Sequence, residues 1–432
     1  MAFPFSLSRL FRLFQRSFVC GLLILPLLSG CAIPRVSAED RLFLDLSVDL
    51  VGTATLEKQT FDGEAVGGIS AIAYDVPGDR LYALSDNRDR PRFYTLKIDG
   101  LTPAAAEVAT AASMPLELSL SVEAVTYLTD STGAPFPPGT LDPEGMALTP
   151  TGTLLISAEG SPNRQIPPTI SEYDLATGQL KTPIVVPSRY LPDIAPARVE
   201  GFNDPLSDDP SANESSDSDQ SRAEAQTVGV QENLSFEALA INVSSGTGGV
   251  YEPYRLFVAT EGPLLQDLDF EPEIPYKNRL LHYTISPYQT TLISEHLYEM
   301  DLAPMGAVLH GLPEIAVLDK GGHFLSLERS FGLRGFTLKL FQLASGGATD
   351  ISAVESLKGD ISGINPIRKQ QMLDLADLGL PLQNYEAMAF GPTLRDRTAL
   401  RDNSSRSLFI MSDDNFSEDQ TTTLLIFRLQ QS

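Results

Sequence analysis

One pattern recurs along the chain and limits what it can fold into: a short apolar run, a polar turn, a second apolar run, then an acid. It reads GISAIAYDVPGDRLYALSDN at Gly68 to Asn87 and PEGMALTPTGTLLISAEG at Pro143 to Gly160. It returns as SFEALAIN at Ser235 with RLFVATEG ending at Gly262, as PEIAVLDKGGHFLSLERS at Pro313 to Ser330, and as YEAMAFG at Tyr385 with LFIMSDDN at Leu408. Apolar runs of four to eight residues bounded by Pro, Gly and Asp are the mark of hairpin strands.

A further strand-like run follows each hairpin: RFYTLKI at Arg92, ISEYDL at Ile170, RLLHYTI at Arg279, FTLKLFQL at Phe336 and TLLIFRL at Thr423. LELSLSVEAVTYL at Leu116 supplies a fourth to the first unit. A repeated antiparallel meander of three to four strands predicts an all-β protein, a β-propeller. Five hairpins are readable, and a sixth blade stays open in the weakly patterned stretches 99–140 and 345–380. LFLDLSVDLVGTATL at Leu42 to Leu56 has no hairpin of its own, so it is expected to lie beside the last blade and close the ring.

The first thirty residues are set apart. Arg9, Arg12 and Arg16 precede the apolar run SFVCGLLILPLL, which is too short to span a bilayer comfortably, and the segment ends in LSGC at Leu28 to Cys31. This is an export signal, and LSGC resembles the lipobox of bacterial lipoproteins, which implies cleavage before Cys31 and its lipidation. Residues 31–41 then form a tether and 42–432 the folded domain, anchored by lipid in the cell envelope on its periplasmic or extracellular face. Cys20 and Cys31 are the two cysteines, so an exported chain keeps no pair for a disulfide. The acidic stretch NDPLSDDPSANESSDSDQSRAEAQ, residues 203–226, is almost free of apolar side chains and reads as a disordered loop.

The chain carries 31 basic and 56 acidic residues, a net charge of -25. A surface of that sign repels nucleic acid and favours cations. The acids are also placed. In an antiparallel hairpin the start of the first strand lies beside the end of the second, which sets Glu144 against Glu159, Glu237 against Glu261, Glu314 against Glu328, Glu386 against Asp413 and Asp414, and Ser70 against Asp86. If these hairpins are the inner strands of successive blades, the oxygens converge on one channel mouth as an acidic ring.

Crowded carboxylates cannot all stay ionised without a cation. Glu144, Glu237, Glu386, Asp86, Asp413 and Asp414, with the Asn415 amide, are oxygen donors that suit a hard ion such as calcium rather than zinc. His282, His296, His310 and His323 lack metal-ligand spacing and read as core or surface residues. No nucleophile elbow, phosphate-binding loop or dinucleotide fingerprint is present. Catalysis, if any, is therefore expected from a cation polarising an ester or phosphoryl oxygen, with Glu144 or Glu386 handling a proton. Arg88, Arg164 and Arg329 follow the acids closely and are candidates for binding an anionic substrate group. A non-catalytic propeller that binds a ligand or protein partner is the alternative, with the acids acting as strand-end caps.

Taken together, GGISAIAYD with LYALSDN, DPEGMALTPTGTLLISAEG with ISEYDL, LSFEALAIN, FLSLERS, and NYEAMAFGP with LFIMSDDNFSEDQTTTLLIF resemble the bacterial family called the esterase-like activity of phytase domain. The similarity runs over about residues 60 to 429. It implies a propeller-type fold in an exported protein and hydrolysis of a small-molecule ester or phosphoester.

Overall fold

The alternating apolar runs form strands throughout a computed structural model that describes residues 42–102, 115–193, 226–243, 252–269, 271, 273–395 and 404–431. The expected signal peptide, Cys31, the tether and the acidic stretch up to residue 225 lie outside the described residues. The first strand, β1 (Leu46–Leu56), is followed by a small ribbon of β2 (Thr60–Phe61) and β3 (Glu64–Ala65).

Five four-stranded antiparallel blades then account for the remaining strands. Blade 1 comprises β4 (Ile69–Asp75), β5 (Arg80–Ser85), β6 (Arg92–Asp99) and β7 (Leu116–Tyr127). Blade 2 is β8 (Pro143–Leu148), β9 (Thr153–Ala158), β10 (Thr169–Asp174) and β11 (Leu180–Ile184). Blade 3 is β12 (Phe236–Val243), β13 (Tyr254–Thr260), β14 (Lys277–Ile285) and β15 (Thr290–Glu299). Blade 4 is β16 (Ala307–Val317), β17 (His323–Gly332), β18 (Gly335–Ala344) and β19 (Arg368–Asp374). Blade 5 is β20 (Asn384–Arg395), β21 (Ser404–Asp413) and β22 (Thr422–Gln431), and β1 completes it from the other end of the chain.

The ring closes as the sequence predicts. Strand β1 pairs antiparallel with β22 from Leu46↔Gln431 to Leu56↔Thr422. One pairing was not legible: after a bulge between Leu50 and Gly52, β1 also runs parallel to β7 from Gly52↔Leu116 to Thr55↔Ser119. A Cβ on Gly52 would meet the Leu116 carbonyl oxygen at 3.0 Å, so the absence of a side chain permits this approach. Blades 5 and 1 thereby share one eight-stranded sheet.

Stretches 99–140 and 345–380 hold no sixth blade among the described residues. The first contributes β7 and a loop, and the second contributes β19 preceded by a segment whose Ile351 and Leu357 bury against Leu297. Strands β4, β8, β12, β16 and β20 touch one another in a closed circle and line the central channel. The hydrophobic core is divided to match, with one wedge in each of the five gaps between blades. Phe409 and Ile72 fill the gap between blades 5 and 1, Leu154 and Phe93 that between 1 and 2, and Phe236 and Leu155 that between 2 and 3.

Where inner strands approach most closely, the sequence supplies glycine. A Cβ on Gly145 of β8 would lie 2.2 Å from the Glu237 carbonyl oxygen of β12 and 2.9 Å from the Leu239 Cβ. Gly145→Ala is therefore expected to lower the unfolding free energy by about 3 kcal/mol through overpacking against backbone. Gly346→Ala, whose added methyl meets open space, should change it by under about 0.5 kcal/mol. Denaturant titration of the two variants checks both values.

Candidate functional site

Each inner hairpin has an irregularity near the start of its first strand. The register slips at Ser70, at Glu144 and Gly145, at Glu237, at Leu312 and Pro313, and at Glu386. A bulge re-aims the side chain it carries, and four of the five hairpins place a polar residue there. Second-strand ends bring Asp86, Glu159, Glu261 and Asp413 alongside, as Asp86 N donates to Gly68 O, Glu159 N to Asp142 O and Glu261 N to Ser235 O.

Two groups of carboxylates result. Oxygens of Asp142, Glu144 and Glu159 lie within 4.8 Å of one another, and so do oxygens of Glu159, Glu237 and Glu261. Glu159 belongs to both. It also accepts a 2.6 Å hydrogen bond from the Ser235 amide, which ties blade 2 to blade 3 at the mouth. Gly311 of blade 4 leaves room for Glu261, since a Cβ there would sit 2.1 Å from its carboxylate.

Positive charge is scarce at this mouth. Arg329 is buried, with Nη2 at 2.9 Å from Glu261 Oε1, Nη1 at 2.8 Å from Asn384 Oδ1 and in close contact with Glu386, and Nη2 at 4.0 Å from Glu237. Burial opposes its charge, but Glu261 and Glu237 outweigh that and raise its pKa. Arg88 Nη2 lies 2.6 Å from Asp142 Oδ2. Asp142 Oδ1 and Asp86 Oδ1 are buried and have no hydrogen-bond partner. Orphaned buried carboxylate oxygens are uncommon and ask for a ligand or a proton.

The electrostatic consequence is uniform. Burial, reinforced by Asp413 and Asp142, pushes Asp86 up to about 8. Burial and Glu261 push Glu159 up to about 8. Asp413 rises to about 6, chiefly by burial. Glu144 is pushed well above the ordinary carboxylate range by burial and then by Asp142 and Glu159, and Glu237 by burial and then by Glu261. Like charges held together out of water must take up protons or a cation.

A family model described as phytase-like, esterase-like activity of phytase, matches residues 64–416. The chain belongs to this phytase-like family. No curated protein matches it in sequence. Among solved structures, the Dos1 propeller is 7% identical over 83% of this chain and 67% of its own, with a TM-score of 0.31. The catalytic domain of the Coprinopsis cinerea GH62 alpha-L-arabinofuranosidase is 12% identical over 89% and 97%, with a TM-score of 0.37. A GH62 hydrolase in complex with xylotriose is 10% identical over 88% and 97%, with a TM-score of 0.39.

Within the phytase-like propeller, the acids and the amide singled out in the sequence separate into three sets. Glu144 and Glu237 sit in the two carboxylate groups. Glu386 accepts from Asn384 Nδ2 at 3.1 Å and faces Arg329, and Asp86 and Asp413 act on each other electrostatically nearby. Asp414 instead clasps a loop, accepting from Gly68 N at 2.8 Å and Lys58 Nζ at 2.6 Å, and Asn415 is exposed in the following turn with Nδ2 donating to Gln420. Arg88 and Arg164 flank a small pocket beside Asp142 and Ser161, with Arg164 Nη1 donating to Gly139 O at 2.6 Å. Arg329 is on the far side of the mouth from them, engaged by carboxylates.

The fourth hairpin departs from the expected pairing. Glu314 pairs in register with Leu327, not Glu328. Glu314 accepts from the amides of Leu239 and Ile315, whereas Glu328 points between blades to Tyr298 OH at 2.7 Å and Lys369 Nζ at 2.5 Å. In this hairpin the bulge falls on Leu312 and Pro313, so Glu314 lies past it in the regular ladder that runs from Val317↔Phe324, and that ladder sets it against Leu327. Asp142 was missed because it precedes β8 by one residue. Its signal was present in the acid of DPEG, directly opposite Glu159.

Because raised carboxylate pKa values mean that the folded state holds more protons than the unfolded one, their contribution to stability is complete near pH 4 and is lost as pH rises toward about 8. In chelator, Glu159→Gln is expected to lose less stability between pH 5 and 8.5 than the parent chain. Paired thermal melts at the two pH values measure the difference, which reports Glu159 together with the carboxylates coupled to it.

Proposed function

We propose that the channel mouth holds a hard divalent cation, calcium in the first instance, and hydrolyses an ester or phosphoester. The observation that carries this reading is Glu159, shared between two carboxylate groups whose neighbours Asp142 and Asp86 each keep a buried oxygen without a partner. The all-oxygen donor set of Asp142, Glu144, Glu159, Glu237 and Glu261 fits such an ion. When bound, it would lower the pKa of a water and polarise the scissile oxygen. The phytase-like family description supports the reaction class.

The chain's own groups have separable tasks. Glu144, in the channel with its pKa raised by burial and then by Asp142 and Glu159, would carry the proton exchanged between water and leaving group. Arg329 pairs with Glu261 and Glu386 and fixes both side chains. Glu386, so engaged, orients the mouth rather than moving a proton. Arg88 and Arg164, on the rim, offer guanidinium groups to an anionic part of a substrate.

Calcium is expected to raise the melting temperature more at pH 8 than at pH 5, since binding displaces protons from the raised carboxylates. Hydrolysis of p-nitrophenyl esters and phosphates should be abolished by chelator, restored by calcium, and reduced at least about a hundredfold in Glu144→Gln, the range for loss of a general acid or base. Calcium stabilisation without turnover across that panel would leave a binding propeller instead.

We further propose that the chain is an envelope lipoprotein anchored through Cys31. Labelled palmitate should enter the chain when it is expressed in a bacterium that processes lipoproteins, and Cys31→Ser should abolish the label.

A further inference from the structure

Blade 4 is built higher than the others on the side of the mouth. In blades 1, 2, 3 and 5 the inner ladder starts beside the bulge, at Ile69↔Ser85, Pro143↔Ala158, Phe236↔Thr260 and Asn384↔Asp413. In blade 4 it continues past Gly311↔Arg329 through His310↔Ser330 and Leu309↔Phe331 to Ala307↔Gly332. Strand β17 then returns as β18 across Gly332↔Gly335. At about 3.3 Å per residue, the tip stands about 10 Å beyond Arg329.

This projecting wall is apolar. Twelve large apolar side chains are exposed among the described residues, and Leu302, Met305, Val308, Phe331 and Leu333 all belong to this hairpin and the loop that feeds it. Met305 is 91% exposed and Leu333 94%. They frame a pocket of about 130 Å³ walled by Pro304, Met305, Ala307, Phe331 and Leu333, with Arg334 also in its lining. Two of its lining residues are held in place: Phe331 packs on Phe336 with ring centres 4.6 Å apart, and Ser330 is hydrogen-bonded to His310 at 2.8 Å.

The size and position of the pocket indicate the occupant. A partner protein in a stable complex covers about 800 Å² of each surface, whereas this pocket takes a short alkyl chain or a single ring. The net charge of -25 opposes both a second copy and an anionic bilayer. The wall continues directly from Arg329, which contacts Glu261 and Glu386. A small molecule held at the carboxylates therefore has this pocket within about 10 Å, the reach of an extended chain of about eight methylenes.

We propose that the blade 4 pocket binds the apolar acyl group of a carboxylic ester whose ester bond lies at the carboxylate mouth. Water cleaves that bond to a carboxylic acid and an alcohol, and the acyl chain stays on the wall while it does so. The inference rests on the hydrolase reading for its catalytic arm, but not for its binding arm.

Two measurements test it, with calcium-loaded protein. In the first, KM for p-nitrophenyl butyrate, octanoate and decanoate is expected to fall about two- to fourfold per methylene that reaches the pocket. The Leu333→Ser/Met305→Ser double variant should flatten that trend, with the largest loss on decanoate, while Val185→Ser, an exposed apolar residue just beyond the last strand of blade 2, should leave it intact. In the second, calorimetry compares binding of the non-hydrolysable methyl- and decylphosphonate. Tighter binding of the decyl compound, lost in the double variant, supports the pocket even if no ester is turned over. Chain-length independence of both KM and phosphonate binding overturns the proposal. So does a double variant that only abolishes self-association or binding to phosphatidylcholine vesicles while leaving the chain-length trend unchanged.

Discussion

Everything in this molecule depends on closing a circle of blades with the two ends of one chain. Strand β1 supplies the outer strand of blade 5, and its ladder with β22 joins residues almost four hundred apart in sequence. Without it, β22 would expose an unpaired edge, and the wedge containing Val51, Ala54, Phe409 and Ile426 would lose one wall. The extra parallel pairing of β1 with β7 ties the first blade to the last a second time.

That closure concentrates charge. Five inner hairpins delivered to one axis bring their polar ends together whether or not each end would choose such neighbours. Among the described residues, Asp86, Asp142, Glu144, Glu159, Glu237, Glu261, Glu386 and Asp413 meet only Arg88 and Arg329 as close cations. Pairing with two arginines cannot offset so many desolvated carboxylates. A mouth of this kind is poised to take up cations or protons, and the two are in competition.

The propeller was readable because each blade repeats the same local instruction, and ring closure was readable because Leu42 to Leu56 is a strand without a hairpin. The blade number was not fixed by pattern alone: the segment 349–367 has apolar residues, Ile351 and Leu357, that bury in a loop rather than a strand. Of the candidate site, Glu144 and Glu237 were found by position in the repeat. Asp142 was hidden because it lies just outside a strand, and Glu314 departs from the other acids because its hairpin carries the bulge at Leu312 and Pro313, which leaves Glu314 in the regular ladder opposite Leu327. Asp414 and Asn415 look equivalent to Asp413 in sequence, yet the turn at Asn415, with φ of 49°, carries them away to Lys58 and Gln420.

The sequence by itself determined the strands, their grouping and the placing of an acid at nearly every inner strand end, since periodicity and turn residues act within a few positions of one another. Tertiary structure alone decided which acids meet, because distances between blades depend on bulges and on close approaches such as Gly145 against Glu237. It also decided that one blade rises above the mouth as an apolar wall. Exposure of Met305 and Leu333 is a matter of what the other four blades leave uncovered, and no local pattern records that.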